Sequence, residues 1–161
     1  PYQLFDLLNM KFEKKEIIAF HLGKQDVGVI QAGTNAGKTT LLRNAALSMA
    51  AGRPFEPFYD GKRPVKICYF DFENDAQDVQ RDLLEMVDVF TEEEKKNLAK
   101  NFSVLPKGLI AGELFQFNRN EKYAFELLHQ NKIEYAIVDN VSAAYDLKDE
   151  NSNSEVTQKV I

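Results

Sequence analysis

The sequence predicts an α/β fold of three layers, α/β/α, built around a mainly parallel sheet. A β-branched and aromatic stretch at 65–72 reads as one strand, and a continuous apolar run at 135–138 has the composition of a strand covered on both faces. Helical patterns lie before and between them, and strands alternating with helices imply right-handed crossovers. The chain of 161 residues, 44% apolar, is long enough for one well-buried domain and too short for two comfortable ones.

Each element has a local reason. Val27-Gly28-Val29-Ile30 is a short apolar run expected to form a buried strand, and 38–51 is a helix rich in Leu and Ala. Gly52 and Pro54 close that helix as C-terminal punctuation. Residues 65–72, β-branched and aromatic, form the second strand; 75–90 follow as a helix with Val79, Leu83, Leu84, Met86 and Val87 on its apolar side. Thr91 and Glu94 have capping-box spacing and open a short charged helix, in which the acids precede the bases as the helix dipole prefers. Residues 102–105 read as an extended piece and 120–130 as a further helix, before a central parallel strand at 135–138 ending on Asp139. Ser152 and Glu155 repeat the capping-box spacing, but the chain stops at Ile161 after barely two turns. The fold is therefore expected to be a core truncated at its C-terminus. Residues 27–161 form that core; 1–26 flank it and pack on it through Tyr2, Phe5, Phe12 and Phe20.

Twenty Lys and Arg against twenty-five Asp and Glu leave a net charge of −5, so no overall basic field draws in nucleic acid or an anionic membrane. The lone Cys68 excludes an intrachain disulfide, and neither a signal-peptide pattern nor a long apolar stretch is present. These features predict a cytoplasmic protein with no membrane association. His21 and His129 have no second ligand at metal-binding spacing, and surface or packing roles are expected for both.

The chemistry lies in QAGTNAGKTT, residues 31–40. The phosphate-loop pattern is Gly, four residues, Gly, Lys, then Ser or Thr; here Ala32 stands where the first glycine belongs. Small residues let successive backbone N–H groups turn inward on phosphates, and the helix N-terminus behind them favours anions. Gly33, Thr34, Asn35, Ala36, Gly37, Lys38, Thr39 and Thr40 are the expected nucleotide-binding residues, with Lys38 on the β- and γ-phosphates and the Thr39 hydroxyl on Mg²⁺. The first motif glycine serves the turn out of the strand, so Ala32 is tolerable if its φ is negative. The alternative is a coincidental Gly-Lys-Thr at a helix start.

YFDFEND, residues 69–75, supplies the second element. Asp71 and Glu73 lie two apart, hence on one side of an extended chain, at the strand edge where α/β sheets bind ligands. Glu73 can polarise an attacking water as a general base; its alternative is a helix cap alongside Asn74 and Asp75. Asp71, inside a buried strand, needs an amide, hydroxyl or cation as partner. Asp139 ends the run YAIVD, where one acid can hold a water of the Mg²⁺ shell opposite Thr39.

YFDFEND resembles the strand-end Asp-x-Glu of the RecA and archaeal recombinases, and IVDNVSAAY resembles the corresponding apolar-Asp run. The phosphate loop, LLRNAALSMAAGRPF and DLKDENSNSEV are similar to RepA-like ATPases of the RecA superfamily, found in replication modules of plasmids and mobile elements. The resemblance covers residues 27–161 and implies a RecA-like P-loop NTPase core using ATP and Mg²⁺. It implies Lys38 and Glu73 as catalytic residues, Thr39 and Asp139 at the metal, and a homo-oligomeric ring or filament with ATP between subunits. By the same resemblance hydrolysis drives DNA replication or recombination, as in a helicase. Ala32 departs from the pattern, and no arginine finger can be named. Four acids, Asp146, Asp149, Glu150 and Glu155, against Lys148 make the loop where a DNA contact would fall repel phosphate. An ATP-dependent regulatory switch with little motor activity is the alternative function, and a small-molecule kinase stands third.

Overall fold

The computed structural model describes residues 3–11, 16–33, 36–110 and 113–145. Three parallel strands form its sheet in the order β4-β3-β7. They are β3 (Ile67–Asp71), β4 (Phe102–Leu105) and β7 (Tyr135–Asp139). Two short antiparallel pairs accompany them, β1 (Ile17–Ala19) with β2 (Leu22–Gly23) and β5 (Leu109–Ile110) with β6 (Glu113–Leu114). Helices α1 (Leu4–Asn9), α2 (Lys38–Ala51), α3 (Ala76–Val87), α4 (Glu92–Asn101), α5 (Phe117–Gln130) and α6 (Val141–Tyr145) complete the chain.

Strand periodicity divides the core in two, and the division confirms the three layers. Ile67 and Tyr69 point to one side of β3 and pack with Ala46, Leu47, Met49 and Ala50 of α2, Leu98 of α4, and Leu83 and Met86 of α3. Cys68, Phe70 and Phe72 point to the other, against Phe115, Ala124 and Leu127 of the α5 region and Ala144 of α6. All five residues of β3 are buried, as a central strand requires. Each large side chain removed from water there, such as Leu47, Met49 or Phe70, contributes roughly 1.5–3 kcal/mol.

The sheet departs from expectation at one side. Residues 27–30 form no strand; Val27 is 87% and Val29 73% exposed. A four-residue run interrupted by Gly28 gains few ladder hydrogen bonds, and apolar content alone does not specify a pairing partner. In consequence β7, expected to be central, is an edge of the described sheet, with Ala136 exposed. The helices follow expectation closely. Lys38–Ala51 has the predicted bounds and ends on Gly52, which takes φ 78° and returns its amide to Met49. Thr91 and Glu94 make both bonds of the capping box. Helix α5 begins earlier than predicted, at Phe117, with a non-helical residue at Asn120 separating its first turn.

Of the flanking aromatics, Phe20 stacks on Phe58 with ring centroids 4.7 Å apart, whereas Phe5 on α1 is exposed. Tyr2, Phe12, the charged segment 146–155 and the helix expected from Ser152 lie outside the described residues. Among the described residues, no helix is long and apolar enough to cross a membrane.

Helix α4 is tied to the end of α2 by a surface network. Arg53, just past α2, donates to both carboxylate oxygens of Glu94 at 2.7 and 2.6 Å and lies over the Phe90 ring. The Arg53 hydrogen bonds, joined by those from Thr91, hold the Glu94 carboxyl down to about 2. A depressed acid stabilises the fold above its unfolded value and loses that contribution as pH falls through the folded one. Glu94→Gln, which keeps a capping side chain, is therefore expected to be less stable than the parent at neutral pH, the gap closing between about pH 4.5 and 2. Denaturant midpoints measured across that range check this; a pH-independent gap would assign the loss to packing.

Candidate functional site

Helix α2 runs antiparallel to the strands, and this places the glycine–lysine loop. Near its end, the Met49 carbonyl accepts from Val65, just before β3; near its start, Arg43 bonds Asp71 at the C-terminal end of β3. Lys38 is five residues further back, about 7 Å along the helix axis, so the loop lies beyond the C-terminal edge of the sheet. Glu73 and Asp139 sit at that same edge.

The loop has the features of an anion site. Gly37 is the N-cap of α2 at φ 82°, no side chain caps the helix, and its first turn contains no acid. Among the described residues the first amides thus meet neither a capping side chain nor an acid of their own turn, and the helix dipole adds to Lys38. Lys38 Nζ donates to the Ala32 carbonyl at 2.8 Å, closing the loop on itself. Ala32 has no positive φ, so the missing first glycine is tolerated as expected; Gly33 has none either, and the need for glycine falls on Gly37. Ala36 bonds back to the Gly33 carbonyl, and Thr39 and Thr40 open the helix. Thr34 and Asn35 lie outside the described residues.

The second strand end differs from the expected extended face. Strand β3 stops at Asp71 and the chain bends, so Asp71 turns inward at 1% exposure while Glu73 is exposed. The bend is made by Asp71 itself: its Oδ1 accepts the amides of Glu73 at 3.2 Å and Asn74 at 2.9 Å, and the Asn74 side chain at 3.0 Å. Its Oδ2 accepts from Arg43 Nη2 at 2.6 Å. The capping role open to Glu73 falls instead to Asp75, which accepts from Gln77 and Asp78 at the start of α3. Glu73 Oε1 accepts from the side-chain amide of Asn140, whose own oxygen receives Ser142 Oγ and the Ala143 amide at the start of α6.

Asp139 pairs in register with Asp71 on the adjacent strand. Two buried acids side by side repel unless each is compensated. Arg43 compensates Asp71, and the Tyr69 hydroxyl donates to Asp139 Oδ2 at 2.7 Å. Burial, with the Asp139 carboxylate beside it, pushes the Tyr69 phenol well above its ordinary value, which keeps its proton in place for that bond. For Arg43, burial works against the charge, and the hydrogen bonds it donates to Asp71 and Asp82, with the negative charge of Asp71, outweigh it.

Arg43, Tyr69, Asn74 and Asn140 were absent from the expected site. Tyr69, Asn74 and Asn140 lie inside the motifs YFDFEND and IVDNVSAAY without a site role having been assigned to them, and Arg43 stands out as a cation inside the largely apolar LLRNAALSMAA.

A parallel α/β sheet whose C-terminal edge meets a glycine–lysine loop at a helix start defines a P-loop protein. The AAA domain family matches residues 4–161, and the chain belongs to it, a family of P-loop ATPases. Neither the curated proteins nor the solved structures contain a significant match.

The strain at Gly37 is open to measurement. Among the described residues a Cβ there would meet nothing within 4 Å, so the expected cost of Gly37→Ala is that of the backbone. We expect a loss of roughly 1–2 kcal/mol, the penalty of the left-handed region for an L-residue. Denaturant unfolding checks it; an unchanged stability would mean that the loop does not hold this conformation.

Proposed function

We propose that the chain binds ATP at the loop 33–40 and hydrolyses it, with Lys38 on the phosphates and Glu73 as the general base. The antiparallel run of α2 carries the reading, because it delivers an uncapped helix start and Lys38 to the edge that holds Glu73 and Asp139. Once a triphosphate lies against the α2 amides, Lys38 leaves Ala32 for the β- and γ-phosphates. Glu73 takes a proton from a water as its oxygen bonds the γ-phosphorus, and the bond to the β-phosphate oxygen breaks, giving ADP and phosphate.

The Thr39 hydroxyl and the Asp139 carboxylate are hard oxygen donors of the kind Mg²⁺ takes alongside phosphate and water. When bound, Mg²⁺ neutralises charge on the β- and γ-phosphates. The RepA-like pattern of the sequence supports a finer reading, in which a homo-oligomeric ring or filament couples hydrolysis to DNA replication or recombination. One observation favours the alternative of an ATP-dependent switch with slow turnover: the Asn140 amide occupies Glu73 Oε1, one of the two oxygens that would take the proton of the attacking water.

Glu73→Gln separates these roles. ATP is expected to bind as well or better, through relief of repulsion with the γ-phosphate, while turnover falls roughly 10²-fold or more. Parent-like steady-state hydrolysis would end the base assignment, and lost binding would make the carboxylate structural. Motor and switch are distinguished by stimulation of the parent's turnover by single-stranded DNA.

Lys38→Ala is expected to weaken triphosphate binding roughly 10- to 100-fold, the worth of one charge-assisted hydrogen bond. Among the described residues its hydrogen-bond partner is the exposed Ala32 carbonyl alone, so thermal stability should hold. Unchanged affinity in calorimetry would remove Lys38 from the site.

A further inference from the structure

We infer that Arg43 is a positioning residue that ties the placement of Glu73 to the phosphate-loop helix, an inference that rests on Glu73 being the base. The turn carrying Glu73 lies between β3 and α3, and one guanidinium holds both sides of it. Nη2 bonds Asp71 at the end of β3 at 2.6 Å, and Nη1 bonds Asp82, on α3, at 2.5 Å. Asp71 passes the constraint on through its other oxygen, which binds the Glu73 and Asn74 amides. Arg43 is itself 4% exposed and lies on α2, whose first turn is the phosphate site. A short path of hydrogen bonds therefore runs from the helix that receives phosphate to the backbone of the group that activates water. Anything that shifts the start of α2 shifts the turn with it, because the planar fork of Arg43 has no slack between two carboxylates. The requirement is for arginine, since a lysine ammonium is a point charge on a flexible stem and cannot fix two partners in one plane.

A buried ion pair can also be purely structural, and the test must divide the two. Arg43→Lys keeps the charge and loses the fork. Its kcat is expected to fall by up to about 10²-fold, the effect of a small misplacement of a catalytic group. Its affinity for ATP, measured by calorimetry, should stay within about twofold of the parent, a split that marks loss of transition-state interactions alone. Combined with Glu73→Gln, Arg43→Lys should bring no further loss, because a residue acting only through Glu73 has nothing left to position. Losses that multiply in the double variant, or a parent-like kcat for Arg43→Lys, would overturn the proposal. If Arg43→Lys does not fold, Asp82→Asn releases the more exposed arm of the clamp and is judged in the same cycle, with a several-fold loss expected in the parent and none in Glu73→Gln. Failure of the base assignment is read separately, from parent-like turnover of Glu73→Gln alone.

Discussion

Asp71 is a carboxylate with almost no access to water, standing beside a second buried acid on the neighbouring strand. Such a group cannot remain in a core without several compensating donors, and the surrounding structure supplies them. Arg43 comes from α2, two amides come from the turn after β3, and the Asn74 side chain closes the set. Each donor fixes an element: the first sets where α2 lies on the sheet, the others how the chain leaves the strand. The geometry of the edge follows from satisfying one acid.

Packing then makes the arrangement rigid. The second half of α2 is buried nearly all round, between β3 and α4, so the helix cannot roll without opening the core. Asn97 and Asn101 on α4 donate to the last carbonyls of α2, covering the end opposite the loop. Thus the helix is anchored at its C-terminus by amides and apolar contact and near its start by a charge pair, and its first turn is less buried than its second half.

How much of this was legible depended on the range of the signal. The bounds of α2, the Thr91–Glu94 cap and the buried β3 come from residues close in sequence, whose periodicity and capping chemistry act locally. The need of Asp71 for a partner was also legible, since it follows from burial alone. The identity of that partner was not: Arg43 lies 28 residues from Asp71 and 39 from Asp82, and Asn140 lies 67 from Glu73. Only topology brings such pairs together. The error at Val27–Ile30 has the same origin, because an apolar run states that it can be buried and not which edge will bury it. The expected common face of Asp71 and Glu73 failed for a different reason, as Asp71 uses its own side chain to bend the chain before Glu73 is reached.

The bond from Tyr69 to Asp139 bears on which ions this edge would accept. One oxygen of Asp139 already receives a phenolic proton, so the carboxylate is poorly placed to chelate through both. Calcium is coordinated by six to eight oxygens, commonly with a bidentate carboxylate among them. A small ion that retains its own water shell asks only for a single oxygen or a water bridge. Should the proposed magnesium bind here, the phenol would leave Asp139 one oxygen for it, favouring a hydrated cation over one that needs both oxygens.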